Sequence, residues 1–169
     1  KFKEFIQNYL FEADPECIEQ IKENNKEAKV LPYCILDENK SINFNIANDP
    51  HASSIYELNK YYNNFYTEHN KFDYLFSETM LSNKKIKINS VSLDYLLNEK
   101  SLVKPDFLSI DAEGSEFLVL NGAEKALNEN IMAVVVETNL VELYKNQKTF
   151  FEVNKLLNEK GFILCDLKL

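Results

Sequence analysis

Leu108-Ser109-Ile110-Asp111-Ala112-Glu113-Gly114-Ser115-Glu116-Phe117-Leu118-Val119-Leu120-Asn121-Gly122 is the stretch around which this chain is organised. Pro105-Asp106 precedes it and marks a turn. Phe107 to Ile110 has only Ser109 polar, which fits a buried strand of a parallel sheet. The run stops on two carboxylates, Asp111 and Glu113. Gly114 follows, and a helical apolar pattern begins at Phe117, Leu118 and Leu120 and continues to Ala123 and Leu127. The order is strand, acidic turn, glycine, helix. Ligands of open α/β sheets bind at the carboxyl ends of the strands, so Asp111 and Glu113 are the first candidates for chemistry. The competing reading is that one of them only caps the helix and complements its dipole.

Outward from this stretch, strands alternate with helices. Toward the start, Lys1 to Gln7 reads as a helix tail and Tyr9-Leu10-Phe11 as a short buried strand ending on Glu12. Asp14-Pro15-Glu16 is a helix start, with Asp as cap and Pro in the first turn. Ile18 and Ile21 give that helix its stripe. Val30 to Leu36 predicts a strand ending on Asp37, and Ser41 to Ile46 alternates as a half-exposed strand would. Around residues 47–85 the pattern loosens into an aromatic-rich insertion that carries Tyr56, Tyr61, Tyr62, Phe65, Tyr66, Phe72, Tyr74 and Phe76. These rings suit packing on the sheet or stacking on a substrate. Lys85 to Val91 alternates again, and Ser92 starts a short helix through Leu93, Leu96 and Leu97. Toward the end, Ile131 to Val136 is a buried strand ending on Glu137. Phe150 to Leu157 is a helix stopped at Lys160-Gly161, and Phe162 to Leu167 predicts a last strand. Alternation of this kind predicts a Rossmann-like, doubly wound, mostly parallel α/β sheet in a single domain spanning 1–169. Four of its strands end on an acid, at Glu12, Asp37, Asp111 and Glu137, and strand ends on one sheet edge line one cleft.

Composition narrows the function. The 169 residues are 45% hydrophobic, enough for one core, and carry a formal charge of −8 with 19 lysines and no arginine. A negative surface without arginine argues against nucleic acid as a partner and removes the guanidinium fork that clamps phosphates. Cys17, Cys34 and Cys165 have no metal or disulfide spacing and suit a reducing, cytoplasmic setting. The longest apolar run, Ile131 to Val136, is too short to span a bilayer. The first residue is Lys, which predicts a piece of a longer chain. An acid at the end of a second strand accepts from ribose hydroxyls in a nucleoside site, and Glu12 is placed for that. The glycine turn that accompanies such an acid lies about 20 residues earlier. Gly114, Gly122 and Gly161 are the only glycines, so the first strand and its loop are predicted to be missing.

Phe107 to Glu116, continued by Val119-Leu120-Asn121-Gly122-Ala123, resembles the signature of FkbM-type S-adenosylmethionine-dependent methyltransferases. Val91 to Leu97 looks like the short helix before that signature, and Val134-Val135-Val136-Glu137 like its next strand. Leu10 to Pro15 is similar to the family's ribose-binding strand end. The resemblance is close over residues 91–137 and looser over 9–37. It departs at Ser109, where the family usually has Lys, and at the first strand and last sheet strand, which the chain lacks in this reading. It implies a class I methyltransferase-like fold, incomplete at both ends, and O-methyl transfer to a hydroxyl of a sugar or secondary metabolite. In that reaction Asp111 or Glu113 serves as base or orients the hydroxyl, Glu12 holds the ribose, and Asp37 accepts from the adenine amino group. His51 and Ser53, in the loop Asn48 to Ser54, face the small-molecule or glycan acceptor. A hard cation on Asp111, Glu113 and Glu137 is conceivable, but their spacing demands none, and no metal is expected. The alternative is a catalytically inactive methyltransferase-like remnant serving as a binding module. A nucleotide-binding regulator has less support, since nothing cradles phosphate.

Overall fold

Among the described residues, three small sheets and the helices between them make up a mixed α/β structure. The structure, a computed structural model, describes residues 6–63, 76–100 and 102–168. The expected helix tail at Lys1 to Gln7 falls largely outside them, and Ile6 and Gln7 are not helical. Phe65, Tyr66, Phe72 and Tyr74 of the aromatic insertion also lie outside.

Strand β1 (Tyr9–Phe11) pairs in parallel with β2 (Lys29–Leu31), and helix α1 (Ile18–Asn24) crosses between them. The helix starts later than Asp14-Pro15 predicts. Asp14 Oδ1 instead accepts the N–H of Glu16 at 2.9 Å, so the Asp-Pro pair builds a turn ahead of the helix. Val30 to Leu36 is not one strand. Pro32, which has no N–H to give to a ladder, separates β2 from β3 (Cys34–Ile35), and the two halves join different sheets.

Strand β3 runs parallel to β5 (Ser82–Val91), and β4 (Lys40–Ala47) lies antiparallel on the other side of β5. This ribbon is the departure from a wholly parallel arrangement. It flanks the insertion, in which α2 (Lys60–Asn63) and α3 (Phe76–Thr79) are short. Helix α4 (Leu93–Glu99) follows β5, with Ser92 Oγ accepting the N–H of Tyr95 as the sequence predicts.

Strand β6 (Phe107–Ile110) pairs in parallel with β7 (Ala133–Val136). The helical pattern between them is broken at Gly122-Ala123 into α5 (Glu116–Asn121) and α6 (Glu124–Glu129). The break has a cause in packing. A Cβ on Gly122 would stand 1.9 Å from the Leu36 carbonyl oxygen, so the end of α5 rests directly on the backbone leaving β3. Asp94 of α4 then supplies the missing cap for α6, accepting the N–H groups of Lys125 and Ala126 at 2.7 and 2.9 Å.

Helix α7 (Phe150–Glu159) begins with a Thr149–Glu152 capping box and stops at Gly161, whose φ of +89° an L side chain rarely adopts. Ile110, Val119, Leu120, Ala123, Leu127, Val153 and Leu156 form the main core, and Leu108, Val134, Val136 and Phe11 pack on it. The opposite face of β6–β7, with Phe107, Ser109, Ala133 and Val135, is exposed, so helices cover one side of this ladder. Phe162 to Leu167 forms no strand. Ile163, Leu164 and Leu167 stay exposed.

Among the described residues, β1 and β6 share no ladder although Phe11 and Leu108 pack on one core, and no helix is long and apolar enough to cross a membrane.

Candidate active site

The parallel register sets Ile110 beside Val136, and the N–H of Glu137 continues the ladder by donating to the Ile110 carbonyl at 2.9 Å. Asp111 and Glu137 therefore leave neighbouring strands side by side. Burial is slight at Glu137, and the charge of Asp111 is the main cause that raises its pKa.

Two residues on, the backbone turns through consecutive left-handed positions, Glu113 at φ +47° and Gly114 at φ +94°. Glycine takes this conformation freely, whereas a residue with a side chain pays roughly 1–3 kcal/mol for it. Neighbouring segments hold Glu113 there. Ser54 Oγ donates to its carbonyl oxygen at 2.6 Å, and Tyr144 Oη donates to its Oε2 at 2.7 Å. The Tyr144 ring lies against Gly114, where an added Cβ would come within 2.8 Å of Cδ2.

Glu113 is half-buried, and its pKa is pushed up to about 7. Burial is the main cause. The Tyr144 hydrogen bond opposes it, and the charges of Asp111, Glu137 and Glu116 add to it. A carboxyl poised there exchanges a proton at neutral pH, as a general base must.

The helix-capping task does not fall to Asp111 or Glu113. Glu116, 2% exposed, accepts the N–H groups of Gly114 and Ala112 on Oε1 at 2.9 and 3.2 Å, while its Oε2 is buried without a hydrogen-bond partner. Burial raises its pKa against these bonds. Helix α5 starts at Ser115 without a side-chain cap, and Glu116 instead ties down the acidic turn ahead of it.

Tyr144 is 2% exposed and reaches the site from the segment between β7 and α7. Burial and the Glu113 charge raise its pKa, so it remains a donor. Gln147 fixes it from behind, accepting the Tyr144 N–H at 3.2 Å. A bridge from Leu58 to Tyr144 and ion pairs from Glu57 to Lys85 and Lys145 tie this segment to the insertion. Sequence reasoning missed Tyr144, Gln147 and Glu116. The one signal for Tyr144 and Gln147 is the Leu143-Tyr144 pair ahead of the polar run Lys145 to Thr149.

The remaining expected site residues lie around this centre in different ways. Asp37 follows β3, and its Oδ1 is buried without a hydrogen bond, with Lys40 Nζ at 3.6 Å. Its charge and that of Glu116 both reach the half-buried Tyr56 hydroxyl and, after burial, raise its pKa. Glu12 folds back, Oε1 accepting the N–H of Asp14 at 2.6 Å. Its charge is felt at Cys34, which burial above all pushes up to about 12. His51 is exposed on the 3-10 turn Pro50–Ala52. Ser53 is buried, and its hydroxyl accepts the Ala47 N–H at 3.1 Å. Ser109 is exposed on the open face of β6. Among the described residues, no three His, Cys, Asp or Glu side chains converge as metal ligands.

No curated protein and no solved structure matches the chain. The family model of the methyltransferase FkbM domain matches residues 3–164. By this match over nearly its whole length, the chain belongs to the FkbM methyltransferase domain family.

Proposed function

We propose that this domain transfers the methyl group of S-adenosylmethionine to a hydroxyl of a sugar or secondary metabolite, with Glu113 as the base. The observation that carries the reading is Glu113 itself, a carboxyl held in a left-handed turn by two hydrogen bonds with its pKa at about 7. When bound, the cofactor supplies an electrophilic sulfonium methyl. What remains for the chain is to hold the acceptor oxygen in line with it and to receive the proton. Asp111, exposed beside Glu113, orients the hydroxyl. His51 touches the acceptor, and Ser53 holds the loop from which His51 projects.

The acceptors around the site fit such a cofactor in their chemistry. The buried Asp37 Oδ1, which lacks a hydrogen bond and has only Lys40 Nζ at 3.6 Å, suits an amino group. Glu12 has a second carboxylate oxygen for ribose hydroxyls, and the surrounding acids favour a cation. Close backbone approach is a separate need. Gly114 meets Tyr144 and Gly122 meets Leu36, so both are occupied, while Gly161, with nothing within 4 Å of its Cβ position, ends α7. The edges of β1 and β6 that carry no ladder among the described residues suit a further strand ending in a glycine turn, which would join the ladders into one doubly wound sheet. The occupied glycines also favour the second reading, a remnant that binds a partner without catalysis.

Calorimetry with S-adenosylmethionine separates the two readings. The chain in its full gene context should bind it, and Glu12→Ala should weaken binding by about 1.5–3 kcal/mol, the scale of charge-assisted hydrogen bonds. Asp111→Ala should bind as the parent does. No binding by the full gene product would favour the remnant.

A further inference from the structure

The Tyr144 hydroxyl has one proton and two acceptors in reach, Glu113 Oε2 at 2.7 Å and the Ala52 carbonyl oxygen at 3.3 Å. While Glu113 is ionised, the shorter and charged acceptor takes the proton. Once Oε1 carries a proton, Oε2 is the carbonyl oxygen of a neutral acid and still accepts the Tyr144 proton. Both charge states of the carboxyl then find partners without a side chain moving, which matters because an unpaired buried polar group is costly. Oε1 of Glu113 takes no hydrogen bond among the described residues.

We infer that Tyr144 is a positioning residue for Glu113: its hydroxyl donates to Oε2 in both protonation states of the carboxyl and so leaves Oε1 to take the proton of the acceptor hydroxyl. This inference rests on the methyl-transfer reading. In that step the acceptor oxygen forms a bond to the methyl carbon and the carbon–sulfur bond breaks. The electron pair stays on sulfur, giving a neutral thioether, and the hydroxyl proton ends on Glu113. Tyr144 itself touches neither reactant.

The site's surroundings make the role specific. The groups that face Glu113 are Tyr144 from the segment before α7, Asp111 and Glu116 from its own turn, and Glu137 from the end of β7. Three are acids that favour a protonated Glu113. The Tyr144 hydroxyl is the group that favours the carboxylate. Its ring also occupies the space beside Gly114, so the same side chain fixes the turn and the carboxyl.

The test follows the Glu113 carboxyl by carbon-13 NMR against pH, assigned with Glu113→Gln, in the parent and in Tyr144→Phe. Phenylalanine keeps the ring and removes only the hydroxyl. The midpoint in the parent should lie near pH 7 and should rise in Tyr144→Phe, by about one pH unit. Labelled methyl transfer from S-adenosylmethionine to a panel of methyl glycosides should show its acidic limb displaced in the same direction. A purely structural role would lower the unfolding midpoint and leave the Glu113 titration where it was, and that result would overturn the proposal. So would a displaced titration with an unmoved acidic limb. The parent supplies a check that needs no folded variant: the Tyr144 Cζ resonance should shift with the Glu113 midpoint, and an unresponsive Cζ would contradict the pairing. Absence of methyl transfer in the parent would overturn the proposed function, while the titrations, which need neither donor nor acceptor, still decide whether Tyr144 sets the state of Glu113.

Discussion

Tyr144 Oη stands 2.7 Å from Glu113 Oε2, and the ring behind that hydroxyl fills the space where Gly114 has no side chain. One aromatic thus couples an acid to the glycine beside it across 31 residues of sequence. The acid-glycine turn of this chain is therefore a packing arrangement as much as a chemical one. The glycine is needed twice, for its φ of +94° and for the room it leaves.

Gly114→Ala should accordingly be poorly tolerated. Its Cβ would meet Tyr144 Cδ2 at 2.8 Å in a backbone conformation alanine avoids. We expect a loss of about 2–4 kcal/mol from overpacking and left-handed strain together, measured by denaturant unfolding. The Glu113 carboxyl should lose its distinct titration as Tyr144 is displaced. A variant as stable as the parent would show that the turn is not pinned this way.

Gly122→Ala tests a different contact. The added methyl group would lie 1.9 Å from a main-chain oxygen of Leu36, which cannot rotate aside as a side chain can. The loss should be about 3 kcal/mol or more, at the upper end for overpacked sites. Thermal melting would show it, and a melting temperature within a degree of the parent's would contradict the close approach.

Asp94 should matter to stability although it lies outside the site. It caps α6 from α4 through two backbone N–H groups, so Asp94→Ala strands both at a helix start. The expected cost is about 1–2 kcal/mol by the usual scale for caps. Asp94→Asn, which keeps an acceptor, should lose less. Equal losses in the two variants would mean that the cap contributes nothing.

Much of this architecture is legible in the sequence. Strands β6 and β7 and helix α7 follow from apolar runs and periodicity bounded by Pro, Gly and acids. The Ser92 cap follows from its residue type. The split of Val30 to Leu36 is marked by Pro32, which the surrounding apolar residues mask in a pattern read by hydrophobicity alone. Phe162 to Leu167 is a mostly apolar run of strand length, yet such a run does not say whether it finds a partner to pair with. The site was legible only where it lies on one chain segment. Asp111, Glu113 and Gly114 stand together in sequence, whereas Tyr144, Ser54 and Ala52 reach them through tertiary contacts. Glu116 was hidden because an acid in the first turn of a helix is ordinary, and only its burial sets it apart.

The raised pKa of Glu113 gives the fold a pH dependence with a definite sign. A carboxyl with a pKa of about 7 in the folded chain and 4.5 in the unfolded chain binds its proton more tightly when folded. Its contribution is therefore greatest below pH 4.5 and is lost as pH rises through 7. Burial of Glu116 and the Asp111 charge at Glu137 act in the same direction. Unfolding free energy should fall between pH 5 and 8, and Glu113→Gln should flatten that fall by about 1 kcal/mol once solvent screening of a half-buried group is allowed for. Parallel pH profiles for parent and variant would show that Glu113 titrates as an ordinary carboxyl.

The most direct measurement is the transfer of labelled methyl from S-adenosylmethionine to a panel of hydroxyl-bearing glycosides and secondary metabolites, comparing the full gene product with its Glu113→Gln variant at pH 8. We predict a labelled ether with at least one acceptor and a rate about 100-fold or more lower in the variant, the usual contribution of a positioned base. Equal rates in parent and variant would contradict the assignment of Glu113 as the base, and no labelled product with the full gene product would contradict methyl transfer itself.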